Sequence, residues 1–264
     1  MKSSKFIEII NQIAPESTQE EWDNSGYQIN LHKTDYRKIL VALEITEAVI
    51  DEAIEADVDL ILTHHPTLFN PLKSLDSLQI PSSYIYRLCC EGIDLYACHT
   101  PFDKAEGGLN DYLATRLGLV DIGKFEDESN DICRIGRFAE PLSLAEAVAL
   151  CERALSFDKK YFRIVEAPNQ EKANIDIVGL CTGAGAEYIR DAAREGCKLF
   201  ITGDVKHHEA QDAREIGLNI LDCGHYGTEK IFTDNMCKLL VEQIPSFEDV
   251  ELIKSQVDVN PFKC

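Results

Sequence analysis

A strand–helix–strand unit that occurs twice constrains this chain more than any other feature. "KILVALEITEAVIDEAIEADVDLILT" can be laid over "DIVGLCTGAGAEYIRDAAREGCKLFIT", with Thr63 over Thr202. In the first copy, "KILVALEIT" (38–46) reads as a buried strand and "DLILTHH" (59–65) as another. Between them "EAVIDEAIEADV" (47–58) puts Val49, Ile50, Ala53 and Ile54 on one helical face. Short apolar strands that alternate with amphipathic helices specify an α/β fold with mostly parallel sheets.

The alternation continues. A helix is expected over 82–93, closed near Gly92, then a strand over 94–100 and a helix over 107–119. The acidic stretch "GKFEDESND" (123–131) precedes a second half. That half reads as helices over 142–155, 186–196, 209–217 and 228–244, with strands at "KYFRIVE", "NIDIVGLC", 197–204 and 218–226. The expected organisation is therefore two related α/β halves, 1–125 and 126–264, from an internal duplication. The C-terminal segment is free to pack back on the first half.

In open α/β sheets, sites form beyond the carboxyl ends of the strands. His64–His65, His99 with Asp103, Asp204 with His207 and His208, and His225 with Glu229 all lie at such ends, and only His32 does not. An offset of 126 residues takes His99 to His225 and Asp103 to Glu229. Imidazoles with carboxylates form a nitrogen/oxygen ligand set suited to Zn, Fe, Mn or Ni. Adjacent histidines on an extended strand point to opposite sides. His64 and His65 then serve two ions, or straddle one after a turn, and the bend at Pro66 allows either. His225 is expected to precede its helix and approach from the strand end. "CTGAGAEY" (181–188) lacks the spacing of a phosphate loop and reads as a tight strand-to-helix turn. "EEWDNSGYQI" (20–29) holds the only Trp and reads as a turn with a buried aromatic, with a role in the site as the alternative.

Composition excludes several function classes. A net charge of −20, from 26 basic and 46 acidic residues, argues against a nucleic-acid partner. It also repels an anionic substrate unless cations reverse the local field. No apolar run reaches the ~18 residues of a membrane span. The N-terminus has no signal-peptide core, since Phe6, Ile9, Ile10 and Ile13 follow a helical period. No membrane partner and a cytoplasmic address are expected. The ten cysteines include no CxxC pair and read as reduced, buried small hydrophobes.

"EEWDNSGYQI", "LILTHHPTLF", "HTPFDKAEGGLNDYLA", "TGDVKHHEAQDA", "DCGHYGTE" and "VDVNPF" together resemble the dinuclear metal-centre family. The family is also called NGG-interacting-factor-like, and its members often carry the label GTP cyclohydrolase 1 type 2 homologue. The likeness covers nearly the whole chain and its short form, without an extra domain between the halves. The resemblance implies two interlocked α/β domains with a metal site between the halves, assembled as a hexameric ring. It implies two divalent metal ions per chain, held by His64, His65, Asp103, His225 and Glu229, with Glu229 bridging. His99 becomes a close neighbour of the ions, and Asp204 stands where many relatives have Glu. The site supports metal-assisted hydrolysis of a nucleotide-like small molecule, with His99, His207 and His208 as proton-transfer candidates. The competing expectation is a non-catalytic metal-binding or adaptor ring.

Overall fold

The computed structural model describes residues 1–126, 131–168, 175–244 and 250–263. The chain begins with α1 (Ser3–Ile13), β1 (Gly26–Ile29), β2 (Lys38–Ala42), α2 (Glu47–Glu55) and β3 (Leu60–Thr63). It continues through α3 (Ser82–Glu91), β4 (Asp94–Ala97), α4 (Thr100–Lys104) and α5 (Leu109–Arg116). Then come β5 (Leu119–Lys124), β6 (Arg134–Leu142), α6 (Leu144–Leu155), β7 (Arg163–Val165) and β8 (Ile175–Leu180). The last elements are α7 (Ile189–Arg194), β9 (Leu199–Thr202), α8 (His207–Ile216), β10 (Asn219–Asp222), α9 (His225–Glu229), α10 (Phe232–Gln243) and β11 (Glu251–Lys254).

The protein is α/β with two mixed sheets, and it divides into two compact units. The first comprises residues 1–108 and 232–261, and the second 109–231 and 262–264. The first unit holds a five-stranded sheet in the order β1-β4-β3-β2-β11. Its strands are parallel except for β1, which runs antiparallel to β4. The C-terminal strand β11 extends this sheet by pairing with β2.

The core of the first unit follows from the amphipathic pattern. Val49, Ile50 and Ala53 of α2 are buried against Leu40, Ile61 and Leu95 of the sheet. Each of these side chains except that of Ala53 contributes roughly 1.5–3 kcal/mol on burial. The strand expected over 38–46 stops at Ala42, because Thr46 caps α2 by accepting from the Val49 N–H at 3.3 Å.

The second unit holds a six-stranded sheet in the order β5-β6-β8-β9-β10-β7. Only β8-β9 and β9-β10 are parallel, so the expectation of mostly parallel sheets fails in this unit. β5 exposes most of its side chains, β6 alternates only over its first residues and β7 has no buried position, so none of the three is a buried apolar run. Phe200, Ile220, Ile189 and Ala213 lie in its core. α6 starts on a capping box, with Ser143 Oγ and the Glu146 carboxylate reciprocally bonded to backbone N–H groups.

The helix expected over 228–244 is broken into α9 and α10 at Lys230 and Ile231. Of the acidic stretch 123–131, residues 127–130 lie outside the described residues. No helix among the described residues is long and apolar enough to cross a membrane. Six of the nine described cysteines are buried, while Cys89 and Cys90 are exposed.

Candidate metal centre

In the first unit, β3 and β4 are parallel neighbours, so the residues that follow them emerge side by side. His64 and His65 follow β3, and His99 follows β4. The N–H groups of His64 and His65 both donate to the Leu43 carbonyl, at 3.1 and 3.0 Å. That shared acceptor pulls the chain out of the pleat. The two imidazoles consequently do not point to opposite sides as extended geometry predicts; their centroids lie 5.2 Å apart. His99 joins them, with its ring centroid 5.1 Å from His64 and 5.8 Å from His65. One ligand atom from each of the three lies within 4.8 Å of the others.

Each ring is oriented by an oxygen on Nδ1. His64 Nδ1 meets the Cys98 carbonyl at 3.0 Å, His65 Nδ1 meets Glu44 Oε2 at 3.4 Å, and His99 Nδ1 meets Asp23 Oδ1 at 2.8 Å. An Nδ1–H donated to oxygen leaves Nε2 as the lone-pair nitrogen, the tautomer that binds metal. Asp103, on the short helix α4, brings Oδ1 to 3.6 Å from His64 Nε2. His64 is fully buried, and its ring packs 5.0 Å from Phe232, which packs edge-on to Phe102 at 5.3 Å.

Asp23 is the orienting residue that sequence reasoning missed. Its Oδ2 accepts from Thr100 Oγ1 at 2.6 Å and Ser25 Oγ at 2.8 Å, while Oδ1 faces His99. Burial works to raise its pKa, but the hydrogen bonds from His99, Thr100 and Ser25 outweigh it. The carboxyl is held well below the usual carboxylate range. The signal was the acid within "WDNSG", which carries no spacing relation to the histidines. Cys98, beside this cluster, does not add a thiolate. Burial, then the charges of Asp103, Asp23 and Glu16, push its thiol well above the ordinary value.

The second unit carries its own cluster at the ends of β8, β9 and β10. His225 does not precede its helix; it is the first residue of α9, so Glu229 falls one turn later on the same face. His225 Nε2 lies 3.0 Å from Glu229 Oε2, and Nδ1 meets Asp204 Oδ2 at 2.8 Å. Asp204 adopts φ of 56°, a left-handed conformation uncommon outside glycine.

The glycine-containing turn after β8 supports this pair rather than cradling an anion. Its Gly183 N–H donates to Thr228 Oγ1 at 2.9 Å, and its Gly185 N–H to Thr202 Oγ1 at 2.9 Å. Gly183 has φ of +68°, and a Cβ there would lie 2.2 Å from Glu229 Oε1. At Gly203 a Cβ would come within 2.6 Å of the His225 N. Both glycines exist so that three strand-end loops can close on one carboxylate and one imidazole.

His207 and His208 start α8 and are exposed, with ring centroids 5.4 Å apart. His207 lines a cavity of about 560 Å³ with Ile164 and Val165 of β7 and Arg214 of α8. Among the described residues, neither belongs to a cluster with metal-ligand spacing.

The described donor set fits a divalent ion. Neutral imidazole nitrogens and carboxylate oxygens converge within each unit, and every imidazole is fixed from behind by an oxygen. Residues 1–261 match the family described as Duf34/NIF3 (NGG1p interacting factor 3). The chain belongs to the Duf34/NIF3 family. It is 35% identical over 268 residues to a Clostridium perfringens protein named GTP cyclohydrolase 1 type 2 homolog, covering 100% of this chain and 99% of the relative. A Streptococcus pneumoniae relative of the same name is 32% identical over 267 residues, covering 99% of each chain. The fold is shared with the crystal structure of a Bacillus cereus protein related to NIF3, at a TM-score of 0.89 and 23% identity, covering 100% of this chain and 99% of that one.

Proposed function

We propose that this chain is a dinuclear divalent-metal protein that hydrolyses a nucleotide-like substrate. The ligands in this reading are His64, His65, Asp103, His225 and Glu229. One observation carries it: four imidazoles at strand ends, His64, His65, His99 and His225, each have Nδ1 held by an oxygen. Structural histidines satisfied by the core have no need of that shared orientation. Metal-ligating histidines require it, because the outer bond fixes the tautomer and raises ligand basicity.

The chemistry that two close divalent ions supply is to acidify a water and clamp a substrate oxygen. The residues of the chain do the rest. Asp23 fixes the His99 ring, so that its Nε2 takes or gives a proton at the substrate. Burial of His64 and Phe232 excludes bulk water from the inner side of the first cluster. The bound cations offset the −20 field of the chain for an anionic substrate. The names of the relatives, GTP cyclohydrolase 1 type 2 homolog, agree with a purine nucleotide. His207 and His208 are not assigned a proton-transfer role, since His207 lines the separate cavity beside β7. The proposal includes a homohexameric assembly.

Five ligands exceed what one tetrahedral ion needs, so reconstituted protein should hold about two divalent ions per chain. Elemental analysis on the hexamer fraction from light scattering measures this. Uptake that stays at one ion per chain in excess metal rejects the dinuclear centre. Turnover of a nucleotide panel that disappears in His65→Ala supports a hydrolase. The words "interacting factor" in the family description favour the alternative, a metal-holding adaptor, and metal uptake without turnover of any nucleotide would establish it.

A further inference from the structure

Trp22 was expected to be a buried turn residue, and the structure contradicts this. It is 55% exposed, and Phe69, the ring beside it, is 46% exposed. The two centroids lie 5.9 Å apart with planes tilted by 42°. Trp22 also meets His99 edge-on at 5.8 Å. The two exposed rings therefore adjoin the histidine cluster of their own unit.

Their positions are fixed by polar contacts. Leu68 N donates to Gln28 Oε1 at 2.9 Å, and Asn24 Nδ2 donates to the Leu68 carbonyl at 2.5 Å. Gln28 is buried, so the segment carrying Phe69 is tied to the one carrying Trp22 from the inside. Asp23, adjacent to Trp22, is held by His99, Thr100 and Ser25. A pair of aromatic faces thus stays presented to solvent beside imidazole nitrogens, although burying apolar surface is favourable.

We propose that Trp22 and Phe69 form a stacking wall that selects a planar nitrogen heterocycle bearing an anionic tail, of the purine-nucleotide kind. Every such heterocycle has a π face, and stacking on an aromatic side chain holds it without sequence-like hydrogen-bond readout. The ring lies on the wall, and the tail reaches toward the histidine cluster. The placement of the tail rests on the metal reading above; the placement of the ring does not.

The chain contains one Trp, so its fluorescence reports Trp22 alone. GTP is the probe, with inorganic tripolyphosphate as the control that lacks a base. With the full metal-loaded chain, GTP should quench the emission and tripolyphosphate should not. In calorimetry, Trp22→Ala and Phe69→Ala should each weaken GTP binding about 10- to 100-fold, the usual effect of losing one stacking partner. Trp22→Phe should restore most of it, while tripolyphosphate affinity and metal content stay unchanged in all three. GTP that binds no tighter than tripolyphosphate overturns the stacking wall, and so do alanine variants that bind GTP like the parent. A chain that takes up no metal overturns the metal reading alone, because the quench and the alanine effects are then read on the metal-free protein.

Discussion

Asp111→Ala should destabilise the second unit by roughly 1–3 kcal/mol, the cost of taking a charged hydrogen-bond partner from the buried Arg134. Arg134, the first residue of β6, is 2% exposed. Its Nε pairs with Asp111 Oδ1 on α5, and its Nη1 donates to the carbonyls of Asp131, Ile132 and Cys133 at 2.9, 2.9 and 3.1 Å. The guanidinium therefore organises the turn that leads into β6 while lacking access to water. Without Asp111 the guanidinium stays buried beside those carbonyls with one counter-charge fewer. The loss is a desolvation effect rather than the price of one contact, so the double variant Asp111→Ala/Arg134→Met should be milder than Asp111→Ala alone. Urea unfolding followed by circular dichroism gives both numbers. A loss below about 1 kcal/mol for Asp111→Ala would show that the pair behaves like an exposed surface bridge.

The parts of the fold that sequence made legible are those with one-residue-scale patterns. β2, β3, β4, β8, β9 and β10 are short and wholly or largely buried, and an apolar run marks them. The left-handed Gly92 ended α3 where a helix C-terminus needs it. β1, β5, β6 and β11 escaped notice. β5 and β11 expose most of their side chains, so no apolar signal identifies them. Pairing of β11 with β2 joins residues more than 200 positions apart, and such a contact leaves no trace in local periodicity.

The site divides the same way. The histidines and carboxylates were visible because they stand at the ends of recognisable strands. Their orientation was not. The side-by-side placement of His64 and His65 depends on one carbonyl, that of Leu43, accepting two N–H groups. The start of α9 at His225 depends on Gly224 at φ of 77° and on its N–H bonded to Asp222 Oδ1 at 2.9 Å. Trp22 was misread because burial is the default for a lone aromatic in a turn, and only the fold shows it exposed beside Phe69 and His99. Asp103 and Glu229 each sit on a five-residue helix that follows a parallel strand, but α9 begins one residue earlier than the offset of 126 from α4 requires, so His225 lies inside its helix and His99 before its own.

Glu229→Gln should cost more metal affinity than His99→Gln, and the difference follows from where the two groups stand. Glu229 is 3% exposed, with Oε2 at 3.0 Å from His225 Nε2 and Oε1 pressed against Gly183. A carboxylate held in that position offers negative charge to an ion that an amide of the same shape does not. Two cations sharing a centre would also lose the charge that screens them from each other. His99, in the proposed reading, lies beside the ions and is itself held by Asp23, so its loss should weaken binding about 10- to 100-fold, as changes to outer partners do. Gly183→Ala separates charge from position. It keeps the carboxylate but places a Cβ 2.2 Å from Oε1, so it should also weaken binding by displacing the group. The fold should survive Glu229→Gln and His99→Gln, because each unit has an extensive apolar core that contains none of these residues. Calorimetric titration with Zn²⁺ or Mn²⁺, with circular dichroism on each variant, measures the order. If Glu229→Gln takes two ions as tightly as the parent while His99→Gln takes none, His99 is a ligand and Glu229 is not.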